Sequence, residues 1–251
     1  MAGSSNGYSP DGKPAIWLCH QTDGFGTRSP DWLSGYERDV LSRFSGPRER
    51  EYLTSRWLIR QALSHSARLP AHQCRPVDGR PVLSGSPEGW HLSLSHSHGL
   101  SACATRAGSP VGVDLEPCTR HPQWQKVARR WFSPVEQEWL FREDDPNTFL
   151  KVWTLKEAWL KATGRGIAGN LQTLEVRKDF EIYGDQPEHD WQASCCYIEG
   201  YLATLVFRGP RPQWPDITLL EPPPWDFALV DAESMDASWE PLFQRTIRPK
   251  R

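Results

Sequence analysis

The chain has 251 residues, of which 38% are hydrophobic and 24% charged, and its net charge is −2. This composition predicts one large or two small folded domains, and the small negative charge argues against general nucleic-acid binding. No apolar run approaches the roughly 18 residues that span a bilayer, and the polar N-terminus lacks the apolar segment of a signal peptide. The six cysteines include no CxxC pair and indicate reduced thiols, so we expect a cytoplasmic protein without a membrane partner.

The first half of the chain predicts one long helix among short strands. The segments with strand or helix periodicity are a strand at 15–19, a helix at 46–67, and strands at 90–95 and 100–107. Nine arginines and only four acids lie between Arg38 and Arg80. This locally basic stretch suits a small anionic ligand or an acidic partner, although a solvated helix face gives the same pattern.

A break at GSP (108–110) precedes a second half that also mixes strands and helices. Its predicted elements are a strand at 111–116, helices at 124–132, 133–141 and 147–164, and strands at 171–177, 180–183 and 195–208. Asn147 is the predicted N-cap of the longest helix, and Gly164 is its predicted stop. The mixed order predicts an α+β fold of two halves and a tail, at 1–109, 110–208 and 209–251. The tail is rich in Pro and Trp, and we expect it to lie extended over the surface or to be partly disordered.

VGVDLE (111–116) contains the first candidate site residues. Its apolar side chains share one face of the predicted strand, and Gly112, Asp114 and Glu116 share the other. Two carboxylates on one face repel each other, and a hard divalent cation such as Mg²⁺ relieves that repulsion. A solvent-facing strand has the same D-x-E pattern, so this segment alone leaves both interpretations open.

WTLKEAWLK (153–161) places Glu157 and Lys161 one helical turn apart, beside Trp153. On a surface helix such a pair is an ordinary contact worth roughly 0.2–0.5 kcal/mol. In a cleft the same pair supplies a third carboxylate and a cation. Lys156 points about 100° away around the helix, which predicts a surface residue or a phosphate contact.

Two further polar segments have structural explanations. SPVE (133–136) is a capping box with Pro at the first helical position, which accounts for Glu136 without any catalytic role. No standard zinc spacing is matched by the nearby residues His91, His96, His98 and Cys103. A histidine beside Ser95 and exposed backbone N–H groups is able to hold a phosphate instead.

Together, these segments resemble the signature of the 4′-phosphopantetheinyl transferases. In that family a G-[VI]-D-x-E strand precedes a W-[ST]-x-K-E-[SA]-x-x-K helix, as VGVDLE and WTLKEAWLK do here. Shorter segments resemble family motifs in the family's order: SRWLIR (55–60), DGRPV (78–82), LSLSHSHG (92–99) and FSPVE (132–136). The chain length suits the Sfp-like group, whose members are monomers.

The resemblance implies a fold and a reaction. Two similar α+β halves would be related by a pseudo-twofold axis, with the active site between them and the division near 108–110. Coenzyme A would donate its 4′-phosphopantetheine arm to a serine of an apo carrier protein, and 3′,5′-ADP would leave. Mg²⁺, with Mn²⁺ as a substitute, would be held by Asp114, Glu116 and Glu157. Glu157 would also be the base toward the serine, and Lys161 would steady charge on the pyrophosphate.

The resemblance also implies contacts to coenzyme A from Arg50, Arg56, Arg80, Ser95, His96 and Lys161. Arg56 and Arg80 match positions near the 3′-phosphate, and the match at Arg50 is looser. Arg80 stands where Lys is usual and keeps the cation, and Ser55 replaces the usual Gly with another small residue. Neither departure removes a group that the reaction needs.

The implied partners are carrier proteins or domains with an acidic helix near the target serine. Such carriers serve fatty-acid, polyketide and nonribosomal-peptide synthesis, and the Sfp-like group favours secondary metabolism. Two alternatives remain, the first of which uses the same carboxylates. One is a Mg²⁺-dependent phosphohydrolase acting on a nucleotide, and the other is a non-enzymatic module that binds an acidic partner through residues 38–80.

Overall fold

The computed structural model describes residues 12–21, 29–120, 123–223 and 227–250, with only the backbone of Arg80 and Pro81. The α-helices in these ranges are α1 (Gly35–Leu41), α2 (Pro47–Ala67), α3 (Trp124–Trp131), α4 (Pro134–Glu143) and α5 (Pro146–Ala162). The first six strands are β1 (Ala15–His20), β2 (Arg75–Val77), β3 (Arg80–Ser86), β4 (Trp90–Ser97), β5 (Leu100–Ala107) and β6 (Val111–Pro117). The others are β7 (Leu174–Arg177), β8 (Glu181–Gly184), β9 (Trp191–Ile198), β10 (Tyr201–Arg208), β11 (Asp216–Leu220), β12 (Ser234–Asp236) and β13 (Trp239–Pro249).

The strands form two sheets, and one long helix packs against each. The first sheet has the order β12-β11-β1-β5-β4-β3-β2, and the second has the order β6-β10-β9-β13-β8-β7. Helix α2 packs on β5 of the first sheet, and α5 packs on β6 and β10 of the second. The chain crosses from one sheet to the other at residues 108–110. This architecture confirms the predicted α+β class.

No helix in the described ranges is both long and apolar enough to cross a membrane.

Capping residues set where the helices begin. Helix α5 begins at Pro146, and the Asp145 side chain accepts hydrogen bonds from the backbone N–H groups of Asn147 and Thr148, each at 3.0 Å. The predicted N-cap at Asn147 is therefore wrong, because an aspartate followed by proline two residues earlier already satisfies the first turn. Helix α1 begins with a capping box at Ser34. Helix α1 was not predicted from the sequence, because a helix of two turns is too short for its period to be recognised.

Two tight hairpins correct the predicted strand boundaries. His98 and Gly99 join β4 to β5 with φ values of 46° and 90°, and Glu199 and Gly200 join β9 to β10 with 51° and 79°. Two consecutive residues with positive φ are typical of the type I′ turns that match the twist of paired strands. The single strand predicted at 195–208 is therefore two strands. Neither turn has the Asn-Gly or Asp-Gly sequence that usually identifies such a hairpin.

The described part of the tail contributes strands to both sheets. The prediction that it lies extended over the surface or is partly disordered is therefore wrong. β11 pairs in parallel with β1 of the first sheet, and β13 lies between β9 and β8 inside the second sheet. Ile247 of β13 is 1% exposed. Most other β13 residues are exposed or half-buried, so the strand lacks the alternation of apolar and polar residues that sequence patterns detect.

Between these strands, the tail is held against α2. The Trp57 indole donates to the carbonyl of Ala228 at 3.3 Å, and the Gln61 amide donates to the carbonyl of Val230 at 2.6 Å. Phe227 is buried in the core beneath this helix. The tail therefore contributes structure to both halves of the molecule.

Serine side chains join the two sheets along the outer edge of β6. The backbone N–H of Val113 donates to Ser93 Oγ at 3.0 Å, and that of Leu115 donates to Ser95 Oγ at 3.1 Å. Both serines belong to β4 of the first sheet. They replace the backbone partners that an edge strand lacks on one side. We call this junction between β4 and β6 the seam.

Candidate active site at the seam between the sheets

Asp114 lies on β6 at the seam and is only 6% exposed. Its Oδ1 accepts hydrogen bonds from Ser95 Oγ at 3.0 Å and from Lys161 Nζ at 2.8 Å. Its Oδ2 is buried and has no hydrogen-bond partner within the described ranges. Burial raises the pKa of Asp114, and the nearby Lys161 ammonium opposes that rise. One carboxylate oxygen is thus held in place, and the other is left for a partner that none of the described residues supplies.

A close approach of α5 to β6 brings the second group of candidate residues to the seam. A Cβ at Gly112 would overlap the backbone carbonyl of Ala158 on α5. Glycine at this position is therefore what lets the helix lie directly on the strand. Lys161, one turn further along the helix, donates to the carbonyl of Val113 at 3.0 Å as well as to Asp114. The structure thereby joins the two long sequence motifs.

Glu157 is 7% exposed, and its Oε1 is buried without a hydrogen-bond partner among the residues described. Burial raises the pKa of Glu157 from 4.5 to about 7, and the negative charge of Asp114 adds to the rise. The cations Lys161 and Arg120 oppose it. Glu157 and Asp114 thus form a repelling carboxylate pair that favours either a proton or a cation between them.

Glu116 completes the set of three predicted carboxylates and is paired with a cation. Arg120 forms an ion pair with its Oε1, and Ser97 Oγ donates to its Oε2 at 3.2 Å. In the described part of the chain, no three His, Cys, Asp or Glu side chains are arranged around a common point as metal ligands. Lys161 and Arg120 instead neutralise Asp114 and Glu116 directly. Arg120 was not identified from the sequence, because it lies in a turn without periodicity.

Glu136 and Lys156 form a buried ion pair away from the seam. Their side chains are both 0% exposed, and Lys156 Nζ lies 2.7 Å from Glu136 Oε1. Glu136 also closes the predicted capping box with Ser133 and accepts from the backbone N–H of Val176 at 2.9 Å. Burial lowers the pKa of Lys156, and Glu136 opposes this. The capping role is confirmed, whereas Lys156 as a surface residue or phosphate contact is wrong.

A cationic pocket of about 410 Å³ lies beside the seam, on the α2 side of β4. Its lining residues are Phe44, Arg48, Glu51, Tyr52, Ser55, Arg56, Leu94 and His96. Arg56 lies over the Tyr52 ring, 4.8 Å from its centroid, and His96 Nε2 lies 3.2 Å from Glu51 Oε1. The structure thus brings the predicted residues Arg56 and His96 together and adds Arg48.

The other predicted coenzyme A contacts are placed differently. Arg50 is not among the residues that line the pocket, and the side chain of Arg80 lies outside the described part of the structure. Ser95 is buried at the seam and donates its only hydroxyl proton to Asp114. A phosphate oxygen accepts hydrogen bonds, so Ser95 would have to release Asp114 before its hydroxyl could donate to one, and its contact with coenzyme A stays a prediction. The sequence did not separate Ser95 from His96, because the strand was predicted to end at residue 95, whereas β4 continues to Ser97 and directs these two side chains to opposite faces.

Comparison with known proteins identifies relatives across most of the chain. A model of the 4′-phosphopantetheinyl transferase superfamily matches residues 110–206. The 4′-phosphopantetheinyl transferase HetI of Nostoc sp. is 33% identical over 153 residues, which cover 57% of this chain and 64% of HetI, just under two thirds of its length. The 4′-phosphopantetheinyl transferase Sfp of Bacillus subtilis is 30% identical over 214 residues, covering 75% of this chain and 92% of Sfp. The B. subtilis transferase ffp is 27% identical over the same shares of both chains.

Proposed function

Since the chain belongs to the 4′-phosphopantetheinyl transferase family, we propose that it transfers the 4′-phosphopantetheine arm of coenzyme A to a serine of an apo carrier protein. The serine oxygen forms a bond to the phosphorus next to the pantetheine. The bond from that phosphorus to the bridging oxygen breaks, and 3′,5′-ADP leaves with that oxygen. The observation that carries this proposal is the pair of buried, unpartnered carboxylate oxygens on Asp114 and Glu157, beside the Lys161 ammonium.

The unpartnered oxygens fit a hard divalent cation, with Mg²⁺ as the proposed ion and Mn²⁺ as its substitute. Asp114 and Glu157 would hold it, with Glu116 released from Arg120 as the third ligand. A bound Mg²⁺ would supply neutralising charge to the pyrophosphate of coenzyme A. Without a bound cation, Glu157 is buried next to the like charges of Asp114 and Glu116. Lys161 and Arg120 offset them only in part, since the pKa of Glu157 stays raised.

The protein side chains then have separate tasks. Glu157, whose pKa is raised to about 7, accepts the proton from the serine hydroxyl as that oxygen bonds to phosphorus, directly or through a water. Lys161 is half-buried and is held by Asp114 and the carbonyl of Val113. From that position its ammonium steadies the negative charge that develops on the departing 3′,5′-ADP.

The cationic pocket beside the seam is the proposed site for the nucleotide of coenzyme A. Arg56 and His96 line it as the resemblance implies, and Arg48 faces the same space. His96 of the pocket lies between Ser95 and Ser97 in β4, and these two serines contact Asp114 and Glu116. We therefore place the nucleotide in the pocket and its pyrophosphate across the end of β4, toward these carboxylates. Guanidinium groups match the geometry of a 3′-phosphate.

Replacing Arg48 with alanine should raise the KM for coenzyme A about tenfold and change kcat little, since one charge-assisted contact to substrate is lost. Steady-state kinetics at saturating carrier would measure this. Arg50→Ala is the matched control two residues away, and it should stay within about twofold of wild type. Equal effects of the two changes, or a larger effect at Arg50, would mean that the pocket is not the nucleotide site.

We place carrier docking on α3 and the adjoining surface of α5. Lys126, Arg129 and Arg130 are exposed on α3, next to a small cavity of about 100 Å³ that Val127, Phe149, Leu150, Trp153 and Arg120 line. Exposed cations around an apolar recess suit an acidic helix with an apolar residue at its centre. Arg120 connects this surface to Glu116, so a serine beside the bound helix would reach the seam.

The change Arg130→Glu should raise the KM for the carrier at least tenfold at low ionic strength, with the KM for coenzyme A unchanged. Repulsion between the new carboxylate and an acidic helix is the reason, and added salt should weaken the effect. Arg142→Glu on α4, an exposed arginine paired with Glu138, is the control and should leave both constants unchanged. Equal carrier kinetics for Arg130→Glu and wild type would remove α3 from the docking surface.

The reaction itself is tested by incubating the protein with coenzyme A, Mg²⁺ and an apo carrier, followed by intact-mass measurement. We expect one added phosphopantetheine on the carrier serine for at least one class of carrier among peptidyl, acyl and aryl carriers. No added mass on any of them would overturn the proposal. Hydrolysis of a nucleotide without carrier modification would instead support a phosphohydrolase.

We also propose that the enzyme acts as a monomer in the cytoplasm, in a secondary-metabolite pathway. All six cysteines are free in the structure, and five of them are buried, which suits a reducing compartment. Size-exclusion chromatography with light scattering would test the monomer.

A further inference from the structure

A second recess lies at the far edge of the second sheet, away from the seam. It has a volume of about 670 Å³, within the range of small-molecule sites. Its lining residues are Glu175, Arg177, Tyr183, His189, Arg248, Pro249 and Lys250. We call it the tail recess, because β13 and the residue after it supply three of these seven positions. In the sheet order, β6 and the strands of the tail recess are three to five strands apart, which is roughly 14–24 Å at normal strand spacing.

The tail recess is cationic. Arg177, Arg248 and Lys250 contribute three permanent positive charges, against one carboxylate from Glu175 among the lining residues. The three cations come from two different strands and from the segment after β13, so no single helix or strand face explains their meeting. Glu175 and Glu181 offset part of the repulsion among these cations, and an anion bound between them would offset the rest.

The cations are oriented but incompletely paired. Arg177 donates through Nε to Glu175 at 2.8 Å and stacks over the Tyr183 ring at 4.3 Å. Its terminal amino groups have no hydrogen-bond partner among the described residues. Arg248 Nη1 lies 3.5 Å from the Tyr183 hydroxyl and 3.8 Å from a carboxylate oxygen of Glu181. Tyr183 thus lies between two guanidinium groups, with Arg177 over its ring and Arg248 at its hydroxyl.

The remaining lining groups complete an anion site. Lys250 Nζ donates to the carbonyl of Gln172, which holds the ammonium in place without neutralising it. His189 is exposed and its ring has no hydrogen-bond partner in the ranges described. Guanidinium groups fixed by stacking offer paired N–H donors that match phosphate oxygens.

We propose that the tail recess binds a small phosphorylated ligand through Arg177, Arg248 and Lys250, without a divalent metal. The charge pattern is opposite to that of the seam, where three carboxylates would require a cation before any phosphate could bind. The finite volume of the recess favours a small molecule over an extended polyanion. The ligand would join β13 to β7 and β8, so its binding would also stabilise the tail strand. None of this depends on the transfer reaction.

The probe is inorganic pyrophosphate, titrated calorimetrically into the full chain in EDTA at low ionic strength. We expect metal-independent binding that weakens at least tenfold in the double variant Arg177→Ser/Arg248→Ser. Arg245→Ser lies three residues from Arg248 on β13, on the opposite face of the strand, and should bind like wild type. Arg56→Ala, which alters the pocket beside the seam, should leave unchanged the part of the binding that the double variant weakens.

Two results would overturn the proposal. One is the absence of pyrophosphate binding in EDTA, and the other is binding that Arg56→Ala abolishes and the double variant leaves intact. Circular dichroism checks that the double variant is folded. If it is not, Lys250→Gln, which removes one exposed charge, should still weaken binding several-fold, and unchanged binding in that variant counts against the tail recess.

Discussion

Glu157→Gln is expected to lower the rate of transfer by about a thousandfold or more and to leave the metal-free protein at least as stable as wild type. The substitution keeps the shape of the side chain but removes both a proposed metal ligand and the proposed base. Losing charge stabilisation of several kcal/mol in the transition state corresponds to a rate loss of about this size. Asp114→Ala is expected to abolish transfer as well, because it removes another proposed metal ligand.

The stability part of this expectation follows from the pKa of Glu157, which is raised from 4.5 to about 7. Between these pH values the folded metal-free protein binds more protons than the unfolded chain, so its stability falls as the pH rises from about 4.5 to about 7. Above about pH 7 the ionisation of Glu157 is complete, and its unfavourable effect on the stability of the metal-free protein reaches its full size. Glutamine cannot ionise, so the variant should lose this part of the pH dependence.

Thermal denaturation of wild type and Glu157→Gln in EDTA, from pH 5 to pH 8, would measure the difference. Added Mg²⁺ should raise the melting temperature of wild type at pH 8 and have little effect on the variant. Glu143→Gln, an exposed change on α4, controls for the general effect of removing a carboxylate. A variant with near-normal kcat, or one much less stable than wild type at pH 8, would contradict the assignment of Glu157.

The second large effect is on folding. Glu136→Gln should lower the free energy of unfolding by about 3–5 kcal/mol, because it leaves the fully buried Lys156 ammonium without its counter-charge. The capping box alone would predict only about 0.5–2 kcal/mol. Denaturant titration at pH 7 distinguishes the two values, and the kcat of the folded variant should remain within a few-fold of wild type.

Glu138→Gln is the matched control for this change. It lies two residues away on the same helix, in an exposed pair with Arg142, and should cost less than about 1 kcal/mol. The double variant Glu136→Leu/Lys156→Met should be more stable than either single change, since it buries no charge. A loss of activity at unchanged stability in Glu136→Gln would instead place Glu136 at the seam.

The sequence was most informative where local chemistry and function coincide. The D-x-E strand and the K-E-x-x-x-K helix contain Asp114, Glu157 and Lys161, and the structure brings these residues together because Gly112 has no Cβ to hold the helix away from the strand. The capping box at Ser133 was also predictable, because its three-residue spacing reports directly on the backbone. The α+β class followed from the mixed order of periodic segments.

The remaining features depend on contacts between distant residues, which a sequence pattern does not record. Lys156 is next to Glu157 in the chain, yet its burial is set by Glu136 and by the carbonyls of Leu171 and Leu174. Arg48 has no distinguishing feature among nine arginines, and only the fold shows that it faces His96. The tail strand β13 was missed because its neighbours in the sheet, not its own alternation, determine its position.

The position of β13 has a consequence for how the chain is made. It is synthesised after every other described element, yet it lies between β9 and β8 in the second sheet. Synthesis adds roughly 5–20 residues per second, so β9 and β8 emerge well before the strand that separates them. Until β13 leaves the ribosome, both present open edges that other chains can pair with. The second half therefore completes its sheet only after translation has passed residue 249, and the two edges stay open to pairing with other chains until then.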